Sequence, residues 1–205
     1  MSEAVTTLAA AAPRSPFQAH PGGERPTAAG QIGVRLEAGL LTSVTQVATW
    51  IRGVAGLEQA LDAWLGQAVP RQTGALLQTT QGMLLRSGPE EFLLVADMPR
   101  GHLAQLRAAV PPEVGSVTDL SHARCRIRIT GGHCLDTLSK LFAIDLRPAA
   151  FPVGAAQLTG HHHVPALLVR TGAEAFDILV FTTYALDQLH TLEDAALEYG
   201  VSVTR

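Results

Sequence analysis

Arg86-Ser87-Gly88-Pro89-Glu90-Glu91-Phe92 and Arg170-Thr171-Gly172-Ala173-Glu174-Ala175-Phe176 are two copies of one pattern, R-[ST]-G-x-E-x-F. In each, an apolar run enters (Met83–Arg86, Val164–Arg170), a glycine-containing turn reverses it, and a second apolar run leaves (Phe92–Val95, Phe176–Phe181). That arrangement predicts a β-hairpin. The match continues outward. Pro70-Arg71-Gln72-Thr73-Gly74-Ala75 precedes the first hairpin, and the looser Pro152-Val153-Gly154-Ala155 precedes the second. Ala75–Thr79 and Ala155–Leu158 read as strands beside them. Further upstream, Val44–Ile51 is a β-branched run ending at Gly53, and Leu57, Ala60, Leu61, Trp64 and Leu65 follow at helical spacing. Likewise Arg124–Thr130 alternates as a strand, stops at Gly131-Gly132, and leads to Leu135, Leu138, Leu141 and Phe142 on one helical face. Leu103, Leu106, Arg107 and Val110 suggest a helix closed by Pro111-Pro112, and Tyr184–Glu198 suggests its counterpart.

Each half therefore reads β-α-β-β-β-α. Helices packed on mixed or antiparallel strands give the α+β class. Two copies are too few for a solenoid, so the expectation is one pseudo-twofold domain over residues 32–205, with halves of about 32–112 and 113–205. Residues 1–31, rich in Ala, Pro, Gly and Ser without either period, read as an arm that is disordered or ordered only against a partner.

Composition narrows the function classes. Apolar residues make up 47% of the 205 residues and aromatics 5%, so few rings are available to stack bases or flavins. The formal charge of −3, thinly spread, argues against nucleic acid or an anionic membrane as partner. No apolar run reaches the roughly 20 residues that span a bilayer. The first residues lack a basic region and meet Pro13-Arg14 early, which argues against a signal peptide. Two cysteines, Cys125 and Cys134, suit reduced thiols in a cytoplasmic protein.

Several clusters invite chemical readings. His161-His162-His163 suggests a metal site, with His122 and His133 elsewhere. On a strand, however, consecutive side chains alternate, so His161 and His163 alone could share an ion, and no third ligand is evident. A polar turn or interface patch is the simpler reading. Asp119-Leu120-Ser121-His122 holds an acid, a hydroxyl and an imidazole, but no G-x-S-x-G elbow accompanies them. Asp119 and Ser121 fit better as caps of the turn before Arg124. Gly131-Gly132 lacks G-x-G-x-x-G spacing and a phosphate-loop lysine, and Glu90-Glu91 sits at a hairpin turn where solvation is expected. No catalytic, cofactor-binding or metal residue is assigned on these grounds.

Asp119-Leu120-Ser121-His122, the strand Arg124–Thr130, Gly131-Gly132 and the helix Leu135–Phe142 resemble the D-[LV]-S-H…G segment of the aminomethyltransferase (glycine-cleavage T-protein) superfamily. Ile144-Asp145-Leu146-Arg147-Pro148, Ala150-Phe151-Pro152-Val153-Gly154 and the strand around Pro165–Arg170 narrow the match. Together with Leu85–Leu94, similar to an L-G-P-D-E-W-L-L hairpin, and Val69-Pro70, they resemble the gamma subunits of heterotetrameric sarcosine oxidases. The likeness covers roughly residues 32 to 203. Phe92 replaces the usual Trp, and Phe181-Thr182-Thr183-Tyr184-Ala185 replaces P-R-S-[FY]-A, which leaves the subfamily and its amine substrate open.

The resemblance implies a fold related to the folate-binding aminomethyltransferases and a non-catalytic role in assembly and stability. Sarcosine would be oxidatively demethylated to glycine elsewhere in the complex. FAD, FMN, NAD, tetrahydrofolate and zinc would reside in alpha-, beta- and delta-type partners, with none in this chain. The alternatives are a stand-alone tetrahydrofolate-binding or aminomethyltransferase-like protein, and a subunit of a related N-methylglutamate or dimethylglycine oxidase or dehydrogenase.

Overall fold

The computed structural model describes residues 14–41, 43–50, 53–96 and 101–205. Its first half runs β1 (Gly23–Arg25), β2 (Val34–Leu40), β3 (Ser43–Thr49), α1 (Val54–Leu65), β4 (Leu76–Thr79), β5 (Gly82–Gly88), β6 (Glu91–Ala96) and α2 (Gly101–Ala109). The second runs β7 (Gly115–Asp119), β8 (Arg124–Thr130), α3 (Cys134–Ser139), β9 (Ala156–His161), β10 (Val164–Gly172), β11 (Ala175–Phe181), α4 (Ala185–Ala196) and β12 (Val201–Thr204). The strands form two sheets, ordered β4-β5-β6-β3-β7 and β1-β12-β2-β8-β11-β10-β9. β12 and β2 run parallel, and the other neighbours are antiparallel. The expected α+β class is what the chain adopts.

Strand alternation sorts the buried side chains into layers. Val44, Leu85 and Leu93 of the five-stranded sheet meet Leu167, Val169 and Leu179 of the seven-stranded one. Their neighbours Leu84, Phe92 and Leu94 point the other way, against Leu57 and Leu61 of α1 and Leu106 of α2. On the far side, Leu36, Ile127, Leu168 and Ile178 pack with Leu138 of α3 and Leu189 and Leu192 of α4. The result is four layers, helices outside and two sheets within.

The two R-[ST]-G-x-E-x-F hairpins are β5–β6 and β10–β11, and each shifts register just after or at its arginine. Both arginines bind the preceding segment through their backbone. Arg86 N–H donates to Ala75 O (3.1 Å) and its carbonyl accepts from Gly74 N (2.9 Å). Arg170 N–H donates to Ala155 O (2.9 Å), and its carbonyl accepts from Gly154 N (2.8 Å). Each guanidinium also curls over its turn, Nη2 donating to Pro89 O (2.5 Å) in one and Ala173 O (2.8 Å) in the other.

Besides β1, three strands lie outside the expected plan. β2, β7 and β12 join the sheets by long-range pairing. β2 pairs with β8, and β7 pairs with β3, so each half lends its first long strand to the other half's sheet. α3 is also shorter than expected, ending at Ser139 rather than continuing to Phe142.

The arm needs correction. Residues 1–13 lie outside the described residues, as does Ile51. Residues 14–31 are not loose: Phe17, in a short 3₁₀ turn at Pro16–Ala19, is completely buried in the α4 core. β1 pairs with β12, and His20, also buried, lies 3.0 Å from Glu193 Oε2, whose other oxygen accepts from Arg25 (2.6 Å). Burial of a phenylalanine ring outweighs the low propensity of a Pro- and Gly-rich segment.

Candidate functional site

The histidine cluster is divided by a turn. His162 and His163 are the two central residues of the β9–β10 hairpin, with φ of +51° and +74°. They are exposed loop residues, so the premise that all three lie on one strand is wrong. Two successive left-handed residues are what a two-residue type I′ hairpin needs. His161 instead turns into the core, fully buried and stacked on Phe142 with centroids 5.0 Å apart. Burial, reinforced by the neighbouring His162, pushes its pKa down to about 4, with the Gln188 amide and the Asp187 charge opposing. It is a neutral core imidazole at ordinary pH. Among the described residues, no group of three or more His, Cys, Asp or Glu side chains is placed to hold a metal ion.

Asp119-Leu120-Ser121-His122 forms the tight connection from β7 to β8. Asp119 Oδ1 accepts from Ser121 N (2.9 Å) and from Ser121 Oγ (2.5 Å), and Ser121 Oγ accepts from Val44 N (3.1 Å). His122 is exposed, while Ser121 is buried with its hydroxyl committed to that turn. This is the capping role expected of the acid and the hydroxyl. Gly131 closes the turn from β8 to α3 at φ +114°, where an added Cβ would lie 2.3 Å from Gly33 O. A side chain there would have to displace β2, so close backbone packing accounts for the glycine.

Cys125 and Cys134 are both buried and unbonded to one another. Burial raises the pKa of Cys125, and burial with the nearby Glu174 charge pushes Cys134 up to about 11. Neither thiol is poised as a nucleophile. Of the paired acids, Glu90 is exposed but Glu91 is not simply solvated: it accepts from Gln46 Nε2 (2.8 Å) and Ser87 Oγ (2.7 Å).

Open space lies where the two sheets meet at their margins. One cleft of about 440 Å³ is lined by Gly74, Arg86, Ser87, Gln157 and Leu158, and an adjoining one of about 570 Å³ by Leu76, Phe151, Val153 and Gly154. Val153 and Leu158 stand beside them, 58% and 50% exposed. Among the described residues this surface carries no cluster of titratable side chains, and no chemical motif in the sequence points to it. Its signal was present nonetheless, in the absence of charge from Pro148 through Val169. Among the described residues, no helix is long and apolar enough to cross a membrane.

No family model matches the sequence. The chain is 35% identical over 151 residues to the sarcosine oxidase subunit gamma of an Arthrobacter species, covering 73% of this chain and 74% of that one. It is 34% identical over 149 residues to the same subunit of Corynebacterium sp. strain P-1, covering 72% and 71%. A chain in the structure of heterotetrameric sarcosine oxidase from Corynebacterium sp. U-96, in complex with pyrrole 2-carboxylate, superposes with a TM-score of 0.78 at 32% identity, covering 91% of this chain and 95% of that one. The aminomethyltransferase T of the Bartonella henselae glycine cleavage system shares the fold at a TM-score of 0.56 and 16% identity, and 85% of this chain spans 48% of it. With identity above 30% sustained over about three quarters of both sequences, the chain belongs to the family of sarcosine oxidase gamma subunits.

Proposed function

We propose that this chain is the non-catalytic gamma-type subunit of a heterotetrameric oxidase that demethylates sarcosine to glycine, acting in the cytoplasm to assemble and stabilise the complex. The observation that carries this reading is the superposition over 91% of the chain on a chain of a heterotetrameric sarcosine oxidase. The side chains most open to a chemical reading support it. The cysteines and His161 are sealed in the core, and Asp119 with Ser121 holds a turn. On this reading FAD, FMN, NAD, tetrahydrofolate and zinc belong to alpha-, beta- and delta-type partners, which perform the redox and one-carbon chemistry.

The halves 32–112 and 113–205 are further read as pseudo-twofold copies. The matched orders β4-β5-β6-β3-β7 and β9-β10-β11-β8-β2, with equivalent arginine contacts in both hairpins, support that relationship.

Co-expression with candidate alpha, beta and delta subunits tests the function. A stable four-part complex whose yield and sarcosine oxidation fall when this chain is omitted is the expected result. Full activity in its absence would overturn the reading. The amine that gives the highest kcat/KM, among sarcosine, N-methylglutamate and dimethylglycine, assigns the subfamily. Because the fold is that of an aminomethyltransferase, calorimetric titration of the isolated chain with tetrahydrofolate is the companion test; a saturable heat would favour the stand-alone folate reading instead.

A further inference from the structure

The four sheet edges differ in how they are defended. β1 is three residues long and carries Glu24 and Arg25, while β7 ends on Asp119. Short or charged edges of this kind discourage pairing with another chain. β4 and β9 are built differently. No Asp, Glu, Lys or Arg occurs from Gln72 to Leu85 or from Pro148 to Val169, in a chain whose charged residues make up 16%.

The fold brings these two uncharged stretches together. Ala156 N donates to Gly74 O at 3.3 Å, and both residues line the same cleft. On β9, Gln157 and Leu158 point to opposite faces yet both are exposed, so the strand stands clear of the layers. The two-residue hairpin makes His161 and Val164 a hydrogen-bonded pair, after which pairs alternate along the ladder. Gly160 and Leu158 therefore direct their backbone N–H and C=O groups away from β10. Pro165, which has no N–H to give, sits opposite Gly160, as that alternation requires. With the His161 backbone turned to Val164, an antiparallel bridge to Phe142 draws on the flanking Gly160 carbonyl, so the open part of this edge is centred on Leu158.

We infer that the β9 edge, with Val153, Leu158 and the adjoining β4 margin, is the surface on which a partner subunit of the oxidase lays an uncharged, extended segment as an added strand. The inference rests on the gamma-subunit reading above. The occupant follows from the chemistry: the outward backbone groups of Leu158 recognise backbone, exposed Leu158 and, in the turn before the strand, Val153 offer apolar seats, and the lack of charge suits the centre of a protein–protein contact rather than its rim.

The test uses the full chain co-expressed with its partner subunits. Leu158→Arg and Val153→Asp, separately and together, should leave the unfolding midpoint of the isolated chain unchanged and reduce partner capture at least tenfold. Glu24→Arg on the opposite edge should capture as the wild type does. In wild-type protein, amide exchange at Leu158 should slow at least tenfold on assembly. Undiminished capture by the double variant, or unchanged exchange, overturns this inference and leaves the subunit assignment standing. If the wild-type chain captures no partner, both fall. Should the isolated chain prove dimeric and Leu158→Arg render it monomeric with capture intact, the edge serves a second copy and the inference is likewise overturned.

Discussion

The Arg170 guanidinium lies over the ring of Phe176, 5.1 Å from its centroid, while its nitrogens donate to the carbonyls of Leu146, Phe151, Gly172 and Ala173. One buried cation thereby satisfies four carbonyls drawn from the hairpin turn and the segment before β9. Arg86 sits over Phe92 at 5.2 Å in the same manner, but it also pairs with Glu58. Replacing Arg170 with Met should cost about 3 kcal/mol, since buried carbonyls would lose their donors. Arg170→Lys should recover little of this, because an ammonium cannot reproduce the planar fork. Urea unfolding of the two variants checks both expectations.

His161 makes stability depend on pH in a defined direction. Its folded pKa of about 4 lies below the ordinary 6.5, so between those values the unfolded chain binds a proton that the folded chain refuses. Stability should fall as pH drops from about 6.5 towards 4 and level off below that, by about 3 kcal/mol in all. His161→Phe keeps the stack on Phe142 and removes the titration. Its loss of stability between pH 7 and pH 4.5 should be the smaller by most of that amount. Equal slopes in the two proteins would show that another group dominates.

Phe17 offers a direct measure of how firmly the segment before β2 is held. Its ring is wholly buried beside α4. Phe17→Ala should destabilise the whole domain by about 3 to 5 kcal/mol. A loosely attached arm would instead give a change near zero in the same urea experiment.

The β9–β10 turn can be improved. His162 and His163 both occupy left-handed backbone conformations, which cost L-residues with a Cβ about 1–2 kcal/mol each. Replacing the pair with Asn-Gly should stabilise the protein by about 1 kcal/mol, a rise in Tm of about 2–4 °C. An unchanged Tm would mean that the imidazoles supply compensating contacts.

Much of this architecture was legible in the sequence because the repeated hairpins carry their own turn chemistry and flank well-patterned helices. The strands missed were those whose stability comes from distant partners. β7, Gly115-Ser116-Val117-Thr118-Asp119, has one strongly apolar side chain, and β12 is four residues long. β2 did alternate, Val34, Leu36 and Ala38 inward against Arg35 and Glu37 outward, and that signal could have been read. Phe17 could not have been found by periodicity, since one aromatic amid Ala, Pro and Gly has no period. The three histidines misled for a different reason: adjacency in sequence said nothing of the turn that separates His161 from the other two.

The exchange of first strands has a consequence for synthesis on the ribosome. When residues 34–96 have emerged, β3 still lacks β7 along one side, and β2 has no neighbour until β8 and β12 follow. The leading portion must wait, with apolar ladder positions uncovered, for the trailing one to complete both sheets. The two portions are thus interlocked products of a single late event, so a nascent chain stalled midway is the species most exposed to aggregation.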